Sequence, residues 1–87
     1  MTVARDGAVI RLQGRCRVED AEPLASALQA APGLTVELGD CEGLHAAVLQ
    51  ALLAFAPKIA GTPRDPFLRD LIRPLLAGER QPGRRPI

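Results

Sequence analysis

The chain has no tryptophan and no tyrosine, and its only aromatic side chains are Phe55 and Phe67. That removes the flat rings on which proteins stack single-stranded bases. Eleven Lys and Arg against ten Asp and Glu leave a net charge of +1. No strong field of one sign therefore draws nucleic acid or an anionic membrane. The longest apolar run, Leu44–Ala56, is interrupted by His45 and Gln50. It falls short of the roughly 20 residues that span a bilayer. The opening MTVARDGAVIRL has no long apolar core of the kind a signal peptide carries, so a cytoplasmic protein is expected. There are two cysteines and one histidine, and no CxxC pair. A disulfide framework and a standard zinc finger are both excluded by that count and spacing. Cys16 and Cys41 read as small buried hydrophobes. No nucleophile, base and orienting group stand out together, so neither catalysis nor a cofactor is expected.

What is present fits one domain of 87 residues, at the small end of what folds alone. Its apolar content is carried by Ala, Leu and Val. Charge is uneven along the chain. Arg5, Arg11, Arg15 and Arg17 precede Val18, with Asp6 alone against them. Glu19, Asp20, Glu22, Glu37, Asp40 and Glu42 make the middle acidic. The end, GERQPGRRPI, is basic and rich in Gly and Pro. It has almost nothing to bury, so residues 78–87 read as a disordered tail and 1–77 as the domain.

Hydrophobic spacing places the elements. AVIRLQ alternates, with Ala8, Ile10 and Leu12 on one side, and reads as a strand. Gly14 marks a turn or bulge, and RCRV a short second strand. In VEDAEPLASALQAAPG, acidic residues fill the first turn and Pro23 is tolerable only there. Ala21, Leu24, Ala25 and Leu28 form an apolar stripe, and Pro32-Gly33 stops the helix. LTVEL follows as a strand with Leu34, Val36 and Leu38 inward. Strand, helix and strand at this spacing predict a parallel crossover, with Arg11 facing Glu37 if the strands are neighbours. GDCEG reads as a polar loop. The second helix, His45 to Phe55, is apolar over a wide arc and needs cover on more than one side. That cover comes from the C-terminal segment or from a second copy of the chain, which leaves a homodimer open. In DPFLRDLIRPLL, Asp65 is a candidate N-cap and Pro66 the first helical residue. Phe67, Leu68, Leu71, Ile72 and Leu75 line one face, and Pro74 ends or kinks the helix. APKIAGTPR carries only a poor strand signal. The expected fold is a small α/β layer structure: a short mixed sheet with helices packed on it.

VIRLQGRCRVEDAEPLASAL followed by TVELGDCEGLHAAVLQALLAF resembles the STAS domain, the fold of bacterial anti-sigma factor antagonists. Val36-Glu37-Leu38-Gly39 stands where that family has its acidic strand end. Leu44 to Leu49 stands where it has a "DSSGL" segment opening a largely apolar helix. The likeness covers about Val9 to Phe55, through small and degenerate motif residues. It implies a non-catalytic protein–protein interaction domain in bacterial signalling. It also implies a protein partner (an anti-sigma factor, a kinase or another signalling protein) met at the mouth of the second helix. The residues there are Asp40, Glu42, His45, Ala46, Ala47 and Gln50.

Two departures accompany the likeness. The position matching the family's phosphorylated Ser or Thr is Ala46, with His45 in place of the preceding Asp. Alanine has no hydroxyl, and Ser26, Thr2, Thr35 and Thr62 lie elsewhere. The family's phosphorylation switch therefore cannot operate at this position. The chain is also short after the second helix, where the family adds a strand. A different reading, a small metal- or thiol-dependent protein, would use Cys16, Cys41 and His45 as ligands, or Cys41 with His45 as base.

Overall fold

The computed structural model describes residues 3–76, so the arginine-rich end at 78–87 lies outside the described residues. The chain begins with a hairpin. Strand β1 (Val3–Asp6) pairs antiparallel with β2 (Val9–Leu12), leaving Gly7 and Ala8 as a two-residue turn. Gly7 has φ +64°, the left-handed value that a tight hairpin turn asks of its first residue. Arg5 Nε donates to the Gly7 carbonyl at 3.1 Å and closes the turn. The Gly7-Ala8 pair, with glycine first, is the sequence signal for this hairpin, which the alternation reading of AVIRLQ alone passes over.

β3 (Gly14–Cys16) leads through a short turn at Val18–Asp20 into α1 (Ala21–Ala30). Asp20 anchors that entry by accepting from the Arg17 backbone N–H at 2.7 Å. Leu24 and Leu28 are buried, and Ala21 and Ala27 pack partly against the same core. The chain then returns as β4 (Thr35–Glu37), parallel to β2 with Ile10 opposite Val36. This is the expected crossover. The register places Arg11 opposite Glu37, as the spacing predicts. Their charges go elsewhere, however. Arg11 lies 3.7 Å from Asp6, and the Glu37 carboxylate accepts from the Gly39 N–H at 3.1 Å.

GDCEG is not a plain loop. Cys41–Leu44 forms β5, parallel to β3 with an irregularity after Gly14. Gly, Asp and Glu suggest a loop by composition. Here the backbone is held by pairing and Cys41 is buried, while Glu42 points out. α2 (Ala46–Phe55) follows and buries Val48 and Leu52. It ends at Ala56, which adopts a left-handed backbone (φ 47°, ψ 53°) and donates its N–H to Leu52 O at 2.9 Å. Lys58–Ala60 forms β6 despite its weak signal, pairing parallel to β4 with Val36 opposite Ile59. Three residues beside a buried central strand suffice, because β4 supplies the ladder. The main sheet is therefore mixed, in the order β1-β2-β4-β6, with β3-β5 as a second small sheet.

The C-terminal segment caps as expected, with the Leu68 N–H donating to Asp65 Oδ2 at 3.0 Å. Leu68–Ile72 then runs as a wide π turn before α3 (Arg73–Leu76). Arg73 N–H reaches back to Leu68 O, one residue further than in an α-helix. Pro74 has no N–H and crowds the carbonyl four residues before it. A wider turn just ahead of it relieves that crowding, so the helix continues past Pro74 instead of ending. Leu68 and Ile72 are buried, but Phe67 and Leu71 are 59% and 57% exposed, so the five apolar residues do not share one buried face. The core gathers Ile10, Leu12, Val36 and Leu38 from the sheet, Leu24 and Leu28 from α1, Val48 and Leu52 from α2, and Leu68 and Ile72 from the C-terminal segment. α1 packs along α2, so cover for α2 comes from within one copy of the chain. Among the described residues, no helix is long and apolar enough to cross a membrane.

Candidate functional site

The junction of β5 and α2 is where the chemistry-bearing residues gather. His45 is the N-cap of α2. Its backbone is extended (φ −67°, ψ 150°), and its Nδ1 accepts from the Ala47 N–H at 3.0 Å. Its carbonyl accepts from Val48 and Leu49 N–H at 2.9 and 3.0 Å. Its own N–H donates to Cys16 O at 2.9 Å, tying the helix start to β3. The single histidine is thus a capping residue placed where Ser, Thr, Asp or Asn is usual. Ala46, the next residue, is exposed.

Three surface depressions meet around this junction. One, of about 510 Å³, is bordered by Gln13, Gly39, Asp40, Cys41, Glu42, Arg64 and Asp65. A second of similar size has Leu44, Ala46, Leu49, Phe67, Leu68 and Ile72 along it, and Arg15, Glu42 and Asp65 among its polar borders. The third, about 410 Å³, runs past Arg15, Cys16, Arg17, Val18, Glu19, Leu44 and His45. Gly43 makes room between them. A Cβ there would stand 3.2 Å from both Cγ and Nη1 of Arg15, so the Arg15 side chain lies across that strand because the residue is glycine.

Of the six residues singled out from the sequence, Asp40, Glu42, His45 and Ala46 come together at this junction. Ala47 is half-buried and Gln50 is exposed, and neither borders the three depressions. Arg15, Asp65, Phe67 and Leu68 belong to the site and were not foreseen. The Asp65-Pro66 start signal locates a helix in sequence, but nothing in it says that this helix lies beside the mouth of α2.

The two cysteines are buried, each 2% exposed, as their type suggests. They lie on the two paired strands of the small sheet, a neighbourhood that spacing alone does not reveal. The contact with Cys41 pushes the Cys16 thiol well above the ordinary thiol range, and burial adds to it. Cys41 is held below that range, chiefly by the hydrogen bond from Cys16, against the opposing effect of burial. The Cys41 sulfur also lies 3.5 Å from the Gly43 carbonyl, to which its S–H donates. His45 is not a partner in these hydrogen bonds; its Nδ1 accepts from the Ala47 N–H. Among the described residues, no three His, Cys, Asp or Glu side chains come together in a way that would hold a metal ion. Compared with protein-family models, curated proteins and solved structures, the chain matches none.

Proposed function

We propose that this chain is a non-catalytic protein-interaction domain of bacterial signalling, similar in kind to the STAS-type anti-sigma factor antagonists. It docks its partner at the mouth of α2, without the family's phosphorylation switch. The observation that carries the proposal is the surface beside Ala46. A small exposed residue opens the helix, an apolar groove of Leu44, Leu49, Phe67 and Leu68 runs beside it, and Arg15, Glu42 and Asp65 stand at its border. Apolar floor with charged rim is the make-up of a protein interface. Phe67, 59% exposed, adds a large apolar group to that groove. The partner of this reading is a cytoplasmic signalling protein such as an anti-sigma factor or kinase.

The test is Ala46→Asp. An acid in the first turn suits the helix dipole by about 0.3–1 kcal/mol. Glu42 and Asp65 along the same groove oppose it, so thermal unfolding should hardly move. A charge carried unpaired into a closed contact costs several kcal/mol, so binding should fall at least a hundredfold. A partner is first identified by affinity capture and mass spectrometry. It is then purified, and its Kd is measured against wild type, Ala46→Asp and Ala46→Ser. Unchanged affinity for Ala46→Asp would remove the helix mouth from the interface.

A further inference from the structure

His45 is the only histidine of the chain. Imidazole is the side chain whose charge ordinarily changes between about pH 5 and 8. Here that side chain also holds a structural bond. Its Nδ1 accepts from the Ala47 N–H at 3.0 Å and so caps α2. An accepting Nδ1 carries no proton, so the neutral ring keeps its single proton on Nε2. The usual caps, Ser, Thr, Asp and Asn, go on accepting across this range. Imidazole does not: once protonated, both ring nitrogens are donors and neither can accept. His45 is exposed, so water reaches the ring with a proton.

We infer that His45 is a proton-sensitive latch on the mouth of α2, closed while the imidazole is neutral and opened when it takes up a proton. In the opened state Nδ1–H and the Ala47 N–H oppose each other, so the ring turns away and the Ala47 N–H is left to water. The helix dipole acts in the same direction, since its N-terminal end disfavours a cation. Arg15 and Arg17 share the depression beside His45 and oppose the added positive charge, while Glu19 in the same depression favours it. Cys16 borders that depression too, but its thiol is held well above the ordinary range and stays uncharged. Glu42 and Asp65, along the groove that Ala46 borders, add negative charge on that side. The cap bond exists only in the folded chain and only with the proton off, so the stability it contributes is lost as pH falls. The latch itself does not depend on docking at α2. That acidification weakens docking does rest on that reading, because a partner covering the opened mouth strands the Ala47 N–H. Docking is read separately, at one pH, with Ala46→Asp, so the two can fail independently.

The whole 87-residue chain, isotopically labelled, is titrated from about pH 7.5 to about pH 5 and followed by NMR. The expected ring at the upper end has its proton on Nε2 and none on Nδ1. On acidification the Ala47 amide resonance should move in step with the His45 ring, and its protection from exchange should fall. Urea unfolding is measured alongside for wild type, His45→Asn and His45→Ala. Asparagine caps throughout, so wild type should lose roughly fivefold in its folding constant relative to His45→Asn across the titration, the worth of one cap. At the acid end wild type should be no more stable than His45→Ala. The wild-type spectra decide the point even if a variant folds poorly. A proton on Nδ1 at the upper end, an Ala47 amide that ignores the ring, or wild-type and His45→Asn profiles that stay parallel would each overturn the inference.

Discussion

Gly61 is the position where a single methyl group should cost most. It follows β6 with φ +79°, a value that L-residues adopt only with strain. A Cβ there would overlap the Glu37 carboxylate oxygen and stand 2.8 Å from the Gly39 backbone nitrogen. Backbone cannot swing aside as the end of a side chain can, and the Glu37 carboxylate is itself engaged with the Gly39 N–H at 3.1 Å. Gly61→Ala therefore carries two costs. Positive φ costs about 1–2 kcal/mol, reduced by about 0.4–1 because alanine restricts the unfolded chain. Displacing Glu37 forfeits a hydrogen bond to a charged group, about 1.5–3 kcal/mol. The sum is about 2–4 kcal/mol. Gly14→Ala is the control, with φ +71° and nothing within 4 Å of the added Cβ. It should lose only the first part, about 1 kcal/mol. At about 4–8 °C per kcal/mol for a domain this small, the two variants should differ in Tm by roughly 10 °C. Urea unfolding followed by circular dichroism measures both. Equal losses would show that the steric account of Gly61 is wrong and that backbone strain alone sets the cost.

The reverse change at Ala56 should stabilise. Its left-handed backbone, φ 47° and ψ 53°, suits the glycine normally found just past a helix end. Ala56→Gly should raise stability by about 0.5–1 kcal/mol, seen as a higher urea midpoint, and a lower midpoint would refute the strain argument. The cysteine pair predicts a pH dependence whose sign follows from the two opposite shifts. Cys41 lies below the ordinary thiol value of 9.0 and Cys16 above it. As pH rises toward 9.0 the folded chain releases the Cys41 proton first, and this part of the stability grows. Above 9.0 the unfolded chain loses both thiol protons while the folded chain keeps that of Cys16, and the gain reverses. Subtracting the profile of a Cys16→Ser, Cys41→Ser double variant should isolate a maximum near the ordinary thiol value; a flat difference would refute it.

Much of this architecture is legible in local patterns. The stripes of α1 and α2 are read from apolar spacing, because burial on one face of a helix leaves that spacing in the sequence. The parallel crossover from β2 to β4 is read from element order, since it is set by chain length and strand twist more than by particular residues. The hairpin at Gly7-Ala8 also has a local signal, in its turn pair. β5 and β6 do not. Cys41–Leu44 and Lys58–Ala60 are strands because neighbours pair with them, and three or four residues carry too little alternation to announce that. The candidate site divides in the same way. Asp40, Glu42, His45 and Ala46 are consecutive or nearly so, and a motif brings them into view together. Arg15, Asp65 and Phe67 reach the site through tertiary packing, and strand pairing brings Cys16 and Cys41 onto neighbouring strands.

The hydrogen bonding at the helix mouth bears on what kind of contact it can make. An open helix N-terminus usually offers unpaired N–H groups to an anion. Here His45 takes up two of them: Nδ1 accepts from Ala47, and the carbonyl from Val48 beside its ordinary helical bond from Leu49. Glu42 and Asp65 stand nearby and repel a further negative charge. The site is therefore poorly made for phosphate or carboxylate, whether carried by a ligand or by a modified side chain. It is better made for close apolar approach, with the Ala46 methyl level with the groove of Leu44, Leu49 and Phe67. A histidine cap serves that arrangement physically. It takes up the Ala47 and Val48 N–H groups from within the chain, so fewer polar groups are stranded when a partner covers the neighbouring surface.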